Sequence, residues 1–222
     1  MRTSPDIVAA LVGVLEAKDI STAAHTWRVV LYTRALAEVF NLDPHSIDRL
    51  SFAAALHDVG KIDIPEAVLL KPGPLTDDEF RVMKAHTTLG HERLLRMGED
   101  DEVALTLVRS HHERWDGKGY PDGLSGEGIP RVARFFAVVD SFDAMTSVRP
   151  YRKLVGPEAA RLAIIELEAG MGTRYDAEAV KAFADLYRTG SLGWILEYYN
   201  DTRPMPDYGQ LSDLKSVQSR HA

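Results

Sequence analysis

The chain has 222 residues, 45% apolar and 27% charged, which fits one large globular domain or a domain with an appendage. A net charge of −7 argues against sequence-independent binding to DNA, and no apolar stretch reaches the roughly 20 residues of a membrane span. The absence of cysteine excludes disulfides, zinc–thiolate and iron–sulfur sites, and with no signal-peptide pattern the expectation is a soluble cytoplasmic protein.

Apolar residues at helical spacing (Ile7, Val8, Leu11, Val14, Leu15) predict a helix over 4–18, behind Ser4-Pro5. A second is expected over about 22–40, with Trp27, Val30, Leu31 and Leu36 on its stripe. Asp43-Pro44 reads as an N-cap followed by proline in the first turn, opening a helix that reaches His57-Asp58 and stops at Gly60. The proline-rich stretch 62–74 reads as a loop. Thr76 to Glu79 has the pattern of a capping box, ahead of a helix to about Met97 with His86 near its middle. Another helix over 101–113 ends in His111-His112-Glu113. From Trp115 to Pro130, five glycines and two prolines exclude helix. Further helices are predicted at about 131–146, 157–169 and 176–188, with Phe135–Val139 the one run that also reads as strand. Residues 189–205 read as a short final helix or a docking segment, and the tail beyond Pro206 as frayed. The expected fold class is all-α, with one domain over 1–188 and a C-terminal extension over 189–222.

His25, His57, Asp58, His86, His111, His112 and Asp140 fall on or at the ends of these helices, and together they suggest a binuclear metal centre. Nitrogen and oxygen ligands without sulfur suit two divalent ions, iron or manganese rather than zinc. Five imidazoles, a bridging Asp58, Asp140 and a hydroxide bridging both ions leave about two coordination positions open, which is a catalytic rather than a structural inventory. Asp58 is expected as the bridge and Lys61, three residues on, as a group that neutralises phosphate or assists the leaving group. Arg149, Arg152 and Lys153 form a candidate phosphate clamp. Asp143, one helical turn after Asp140, reads equally well as a surface residue and as a group that contacts substrate or supports a metal ligand from behind. His45, His91 and His221 are assigned to surface or packing roles, and Trp27, Phe135 and Phe136 to the core.

The run His111-His112-Glu113-Arg114-Trp115-Asp116-Gly117-Lys118-Gly119-Tyr120-Pro121 resembles the signature of the HD-GYP domain family. So do His57-Asp58-Val59-Gly60-Lys61, the segment from Asp140 to Arg152, and Gly172-Thr173-Arg174-Tyr175-Asp176. The resemblance implies an HD-superfamily helical bundle that hydrolyses cyclic di-GMP to pGpG and often on to GMP. It places metal ligands at His25, His57, Asp58, His86, His111, His112 and Asp140, and substrate contacts at Lys61, Asp143, Arg149 and Arg152. Some family members hold a third metal through a glutamate four residues before the first histidine; here that position is Ser21, so two metals are expected. The alternatives are a phosphodiesterase for 3′,3′-cyclic GMP-AMP, or a non-catalytic cyclic-dinucleotide sensor or adapter acting through the Gly-Tyr-Pro loop. The segment Gly117–Pro130 reads as a wall of the cleft or, by the resemblance, a docking surface for GGDEF-type synthase domains. A homodimer through the N-terminal helix or the aromatic segment 194–199 is a further expectation.

Overall fold

The computed structural model describes residues 5–18, 22–147 and 156–198. These form α1 (Pro5–Lys18), α2 (Thr22–Val39), α3 (Pro44–Leu56), a 3₁₀ turn (Val59–Asp63), α4 (Glu66–Leu69), α5 (Asp77–Lys84) and α6 (His86–Arg96). They continue with α7 (Glu102–Ser110), a 3₁₀ turn (Gly126–Gly128), α8 (Arg131–Thr146), α9 (Pro157–Ala169), α10 (Ala177–Arg188) and α11 (Gly193–Tyr198). Among the described residues there is no strand, only an isolated bridge between Met171 and Tyr175. No helix of this set is long and apolar enough to cross a membrane. The all-α expectation therefore holds among the described residues. Ser21, the segment with Arg149, Arg152 and Lys153, Tyr199, and His221 lie outside the described residues.

Local chemistry sets most helix starts. The Asp43 carboxylate accepts from the backbone N–H groups of His45 and Ser46, and Thr76 and Glu79 close a reciprocal capping box on α5. Asp101 caps α7 through the Val103 N–H and also takes both arms of Arg49, which fastens the start of α7 to α3.

Helices α2, α3, α7 and α8 form the central bundle: α2 lies against α3 and α8, and α7 against the same two. Helix α6 packs on α7, and α9 and α10 cover the other side of α8. Being surrounded explains why α8 reads as a continuous apolar run in which strand and helix cannot be told apart. Tyr32, Phe142 and Phe183 meet edge-to-face between α2, α8 and α10, with ring centroids 5.0–5.9 Å apart. The core continues past residue 188, because Leu192 and Ile195 are fully buried with it and α11 rests on α2.

Four boundaries differ from expectation, the first being α7, which stops at Ser110 instead of reaching Glu113. Helix α3 ends at Leu56, and the expected loop over 62–74 contains the short α4. The single helix over 76–97 is broken at Ala85, so His86 opens α6 instead of sitting mid-helix. The hydroxyls of Thr87 and Thr88 donate to the carbonyls of Lys84 and Ala85, competing for the groups that would continue the α5 ladder. At this break the Met83 carbonyl accepts from the His86 imidazole.

The 3₁₀ turn after α3 touches α6 backbone to backbone. A Cβ on Gly60 would lie 1.9 Å from the His86 carbonyl oxygen and 2.5 Å from the Gly90 nitrogen. Gly60→Ala should therefore cost about 3 kcal/mol, the upper range for overpacking against backbone that cannot yield. Urea unfolding checks this, and a loss under about 1 kcal/mol would mean that the turn and α6 can separate freely.

Candidate metal centre

All seven expected ligands converge on one region of the bundle, delivered mostly by helix ends. His25 lies on α2 and Asp140 on α8; His57 caps α3, Asp58 follows it, His86 opens α6, and His111 caps α7 with His112 next in the chain. They form two groups of potential ligand atoms, His25–His57–Asp58 and His86–His111–His112, each within 4.8 Å. Asp140 adjoins the first, its Oδ1 3.6 Å from His25 Nε2 and 4.0 Å from His57 Nε2. Asp58 joins the two: Oδ2 is 3.2 Å from His57 Nε2, and Oδ1 is 3.4 Å from His86 Nε2.

The imidazoles are aimed by their other nitrogen. His57 Nδ1 lies 2.8 Å from the Ala54 carbonyl, His86 Nδ1 2.7 Å from Met83, and His111 Nδ1 3.0 Å from Val108. A carbonyl only accepts, so each Nδ1 carries the proton and, in the neutral ring, each Nε2 presents a lone pair inward. His86 and His111 then point lone pairs at one another across 3.4 Å in a buried site. With no proton available between them, that arrangement calls for a cation. Ligands bound to one ion at about 2.1 Å and adjacent angles stand about 3.0–3.4 Å apart, so the donor set fits a metal. Across the other group, His25 Nε2 and His57 Nε2 are 3.2 Å apart.

Electrostatics divides the histidines. Burial pushes His86 down, and pushes His111 well down with help from the neighbouring His112, His57 and His86. Burial also lowers His112, to about 4. For His57 burial acts in the same direction, but Asp58 and Asp140 outweigh it and hold its pKa above the ordinary value. Burial would raise Asp58, yet Lys61, His57 and His86 keep it ionised, well below the usual carboxylate range. Lys61 reaches Asp58 Oδ2 at 2.5 Å.

Asp143 is not on the open side. It is fully buried on α8, where His25 Nδ1 approaches its Oδ2 at 2.7 Å and Arg28 reaches both its oxygens at 2.5 and 3.1 Å. The expectation of a substrate contact at Asp143 gives way to a group that orients His25 from behind. Arg28 is a participant that the sequence reading missed; its place three residues after His25 on α2, hence on the same face, was the available signal.

Glu113 was also missed. Its buried carboxylate accepts from the backbone N–H groups of Asp122, Gly123 and Leu124, which folds the glycine-rich segment back over the centre. The chain returns so closely that a Cβ on Gly119 would lie 2.4 Å from the Arg114 nitrogen and 2.6 Å from the His112 carbonyl. This places the Tyr120 ring over His112, with centroids 4.8 Å apart. Gly117–Pro130 thus begins as a wall of the site. A carboxylate directly after His-His and before a glycine-rich run was the sequence signal for this anchor.

A family model described as HD domain matches residues 13–179. A cyclic di-GMP phosphodiesterase of Thermotoga maritima is 43% identical over 172 residues, covering 77% of this chain and 46% of that protein. A 3′3′-cGAMP-specific phosphodiesterase 2 of Vibrio cholerae is 38% identical over 180 residues, covering 81% of this chain and 34% of that protein. Among solved structures, Bd1817, an HDG"Y"P protein from Bdellovibrio bacteriovorus, superposes with a TM-score of 0.60 at 17% identity, covering 83% of this chain and 62% of that one. The chain belongs to the HD domain family, with the HD-GYP elements in place. It spans less than half the length of these two curated relatives.

The lowered histidines give a pH dependence to the metal-free protein. Between the unfolded value near 6.5 and the folded value of about 4 for His112, the unfolded chain takes up a proton that the folded one does not. That stability is complete above pH 6.5 and is lost as pH falls; His112 alone accounts for about 2 kcal/mol at pH 5. His86 and His111 act in the same direction, and the raised His57 in the opposite one. Metal-free protein should therefore melt lower at pH 5 than at pH 7.5. Equal melting temperatures would contradict neutral, buried imidazoles.

Proposed function

We propose that this chain is a metal-dependent phosphodiesterase that hydrolyses cyclic di-GMP to pGpG, GMP or both. The observation that carries the reading is Asp58, whose two oxygens face two separate histidine groups at 3.2 and 3.4 Å. His25, His57, Asp58 and Asp140 would hold one ion, and Asp58, His86, His111 and His112 the other; the sulfur-free donors favour iron or manganese. When bound, two such ions polarise a phosphodiester and make water nucleophilic at neutral pH.

The protein's own groups do the rest. Asp58 stays ionised between the two histidine groups, and Arg28 with Asp143 fixes the ring of His25. Lys61, placed at the Asp58 carboxylate, supplies positive charge to a phosphate oxygen and a proton to the leaving oxygen. Arg149 and Arg152 are assigned to the substrate phosphates by their position after α8 in the chain. The Vibrio cholerae relative named for 3′3′-cGAMP supports a second reading, in which one guanine is replaced by adenine.

The full chain, reconstituted anaerobically with Fe(II) or Mn(II), should bind two ions and release linear product from cyclic di-GMP, cyclic GMP-AMP or both. Two bound ions with no product from either would overturn the reading. In the same assay Asp58→Asn should lower turnover by at least about 10³-fold while the helical circular dichroism persists. Lys61→Ala should lower kcat by about 10²-fold and retain both ions; a protein emptied of metal would instead make Lys61 structural.

A further inference from the structure

Beside the metal centre, α5 carries chemistry that the metal-directed residues leave unused. Phe80 on α5 is 48% exposed, although its ring meets Tyr120 edge-on with centroids 6.5 Å apart. One helical turn on, Lys84 holds its ammonium 5.2 Å from the Phe80 centroid and 5.7 Å from that of Tyr120. Among the described residues no carboxylate forms an ion pair with Lys84. Two aromatic faces therefore hold this cation in place of a counter-ion, and its N–H donors remain available to a ligand. The platform stands one ring beyond the centre, because Tyr120 itself lies over His112.

We propose that Phe80 and Lys84 form a nucleobase subsite that selects guanine, an inference that rests on the cyclic-dinucleotide reading of the metal centre. Every base offers a π face, so stacking on Phe80 provides affinity without choice. The choice lies with Lys84. Guanine presents two acceptors, O6 and N7, along one edge, whereas adenine pairs its N7 with an amino donor. An ammonium has donors only, so it satisfies the guanine edge and opposes the adenine amino group. A glutamine at the same place carries one donor and one acceptor and matches adenine instead.

The test uses the metal-loaded full chain and its Lys84→Met, Lys84→Gln and Phe80→Ala variants. Turnover and equilibrium binding are measured with cyclic di-GMP and cyclic di-AMP, and turnover also with bis(p-nitrophenyl) phosphate, a diester without a base. Lys84→Met should raise KM for cyclic di-GMP about tenfold, with kcat changed far less, and erase the preference over cyclic di-AMP. Lys84→Gln should shift the preference toward cyclic di-AMP, and Phe80→Ala should weaken both dinucleotides alike, about tenfold. The rate ratio of cyclic di-GMP to bis(p-nitrophenyl) phosphate should fall in each variant. An unaltered base preference in both Lys84 variants, or equal losses on the baseless diester, overturns the inference while the phosphodiesterase reading stands. If the parent protein hydrolyses neither cyclic di-GMP nor cyclic GMP-AMP, that reading fails, and binding still decides the subsite. A guanine preference that depends on Lys84 upholds it; binding that is absent or indifferent to Lys84 refutes it.

Discussion

His86 and His111 present unprotonated nitrogens to each other across 3.4 Å, each held there by a hydrogen bond from its far nitrogen to a backbone carbonyl. In a buried site two facing electron pairs repel, and a cation between them would relieve that repulsion. Much of the surrounding structure serves that constraint. The bundle excludes water, helix ends supply the carbonyls that fix the tautomers, and Asp58 carries negative charge toward both histidine groups. Burial, which alone would neutralise Asp58, is outweighed by Lys61 and the adjacent imidazoles.

Helix ends are the natural suppliers because their last carbonyls have no partner within the helix. His57 uses Ala54 at the end of α3, His111 uses Leu107 and Val108 at the end of α7, and His86 uses Met83 at the break between α5 and α6. Ala54 and Leu107 also accept from the backbone N–H groups of His57 and His111, so one carbonyl holds both the main chain and the ring of its histidine. The break at Ala85 has a clear purpose in this light. There the Met83 carbonyl lies 2.7 Å from His86 Nδ1 and fixes the orientation of that ring.

Behind and in front of the centre, charge is managed differently. Behind it, Arg28 and Asp143 form a buried ion pair, costly in isolation but satisfied by further contacts to His25 and Ser147. In front, Glu113 gathers three backbone N–H groups and folds the glycine-rich segment so that Tyr120 shields His112. Rigid charge pairs thus orient the histidines, while beside Tyr120 the Lys84 ammonium rests against aromatic rings and has no carboxylate partner among the described residues. The separation follows from solvent access. A charge buried on all sides needs fixed partners, whereas one at a cleft mouth can wait for them in water.

The amino-acid sequence alone specified the helical class, most helix starts and the identity of the seven residues that converge, because caps, periodicity and ligand type are local properties. The adjacent pairs His57-Asp58 and His111-His112 were informative for the same reason. Their division into two groups, the two-sided position of Asp58 and the protonation of each ring depend on distances between helices far apart in the chain. Asp143 shows the limit: one turn after Asp140 it suggested a ligand-facing carboxylate, and only the packing of α8 against α2 turns it inward to Arg28. Arg28 and Lys84 carry no motif of their own, and the place of Glu113 in the signature run does not say what its carboxylate binds. What each does is decided by what lies opposite, and that is a property of tertiary structure.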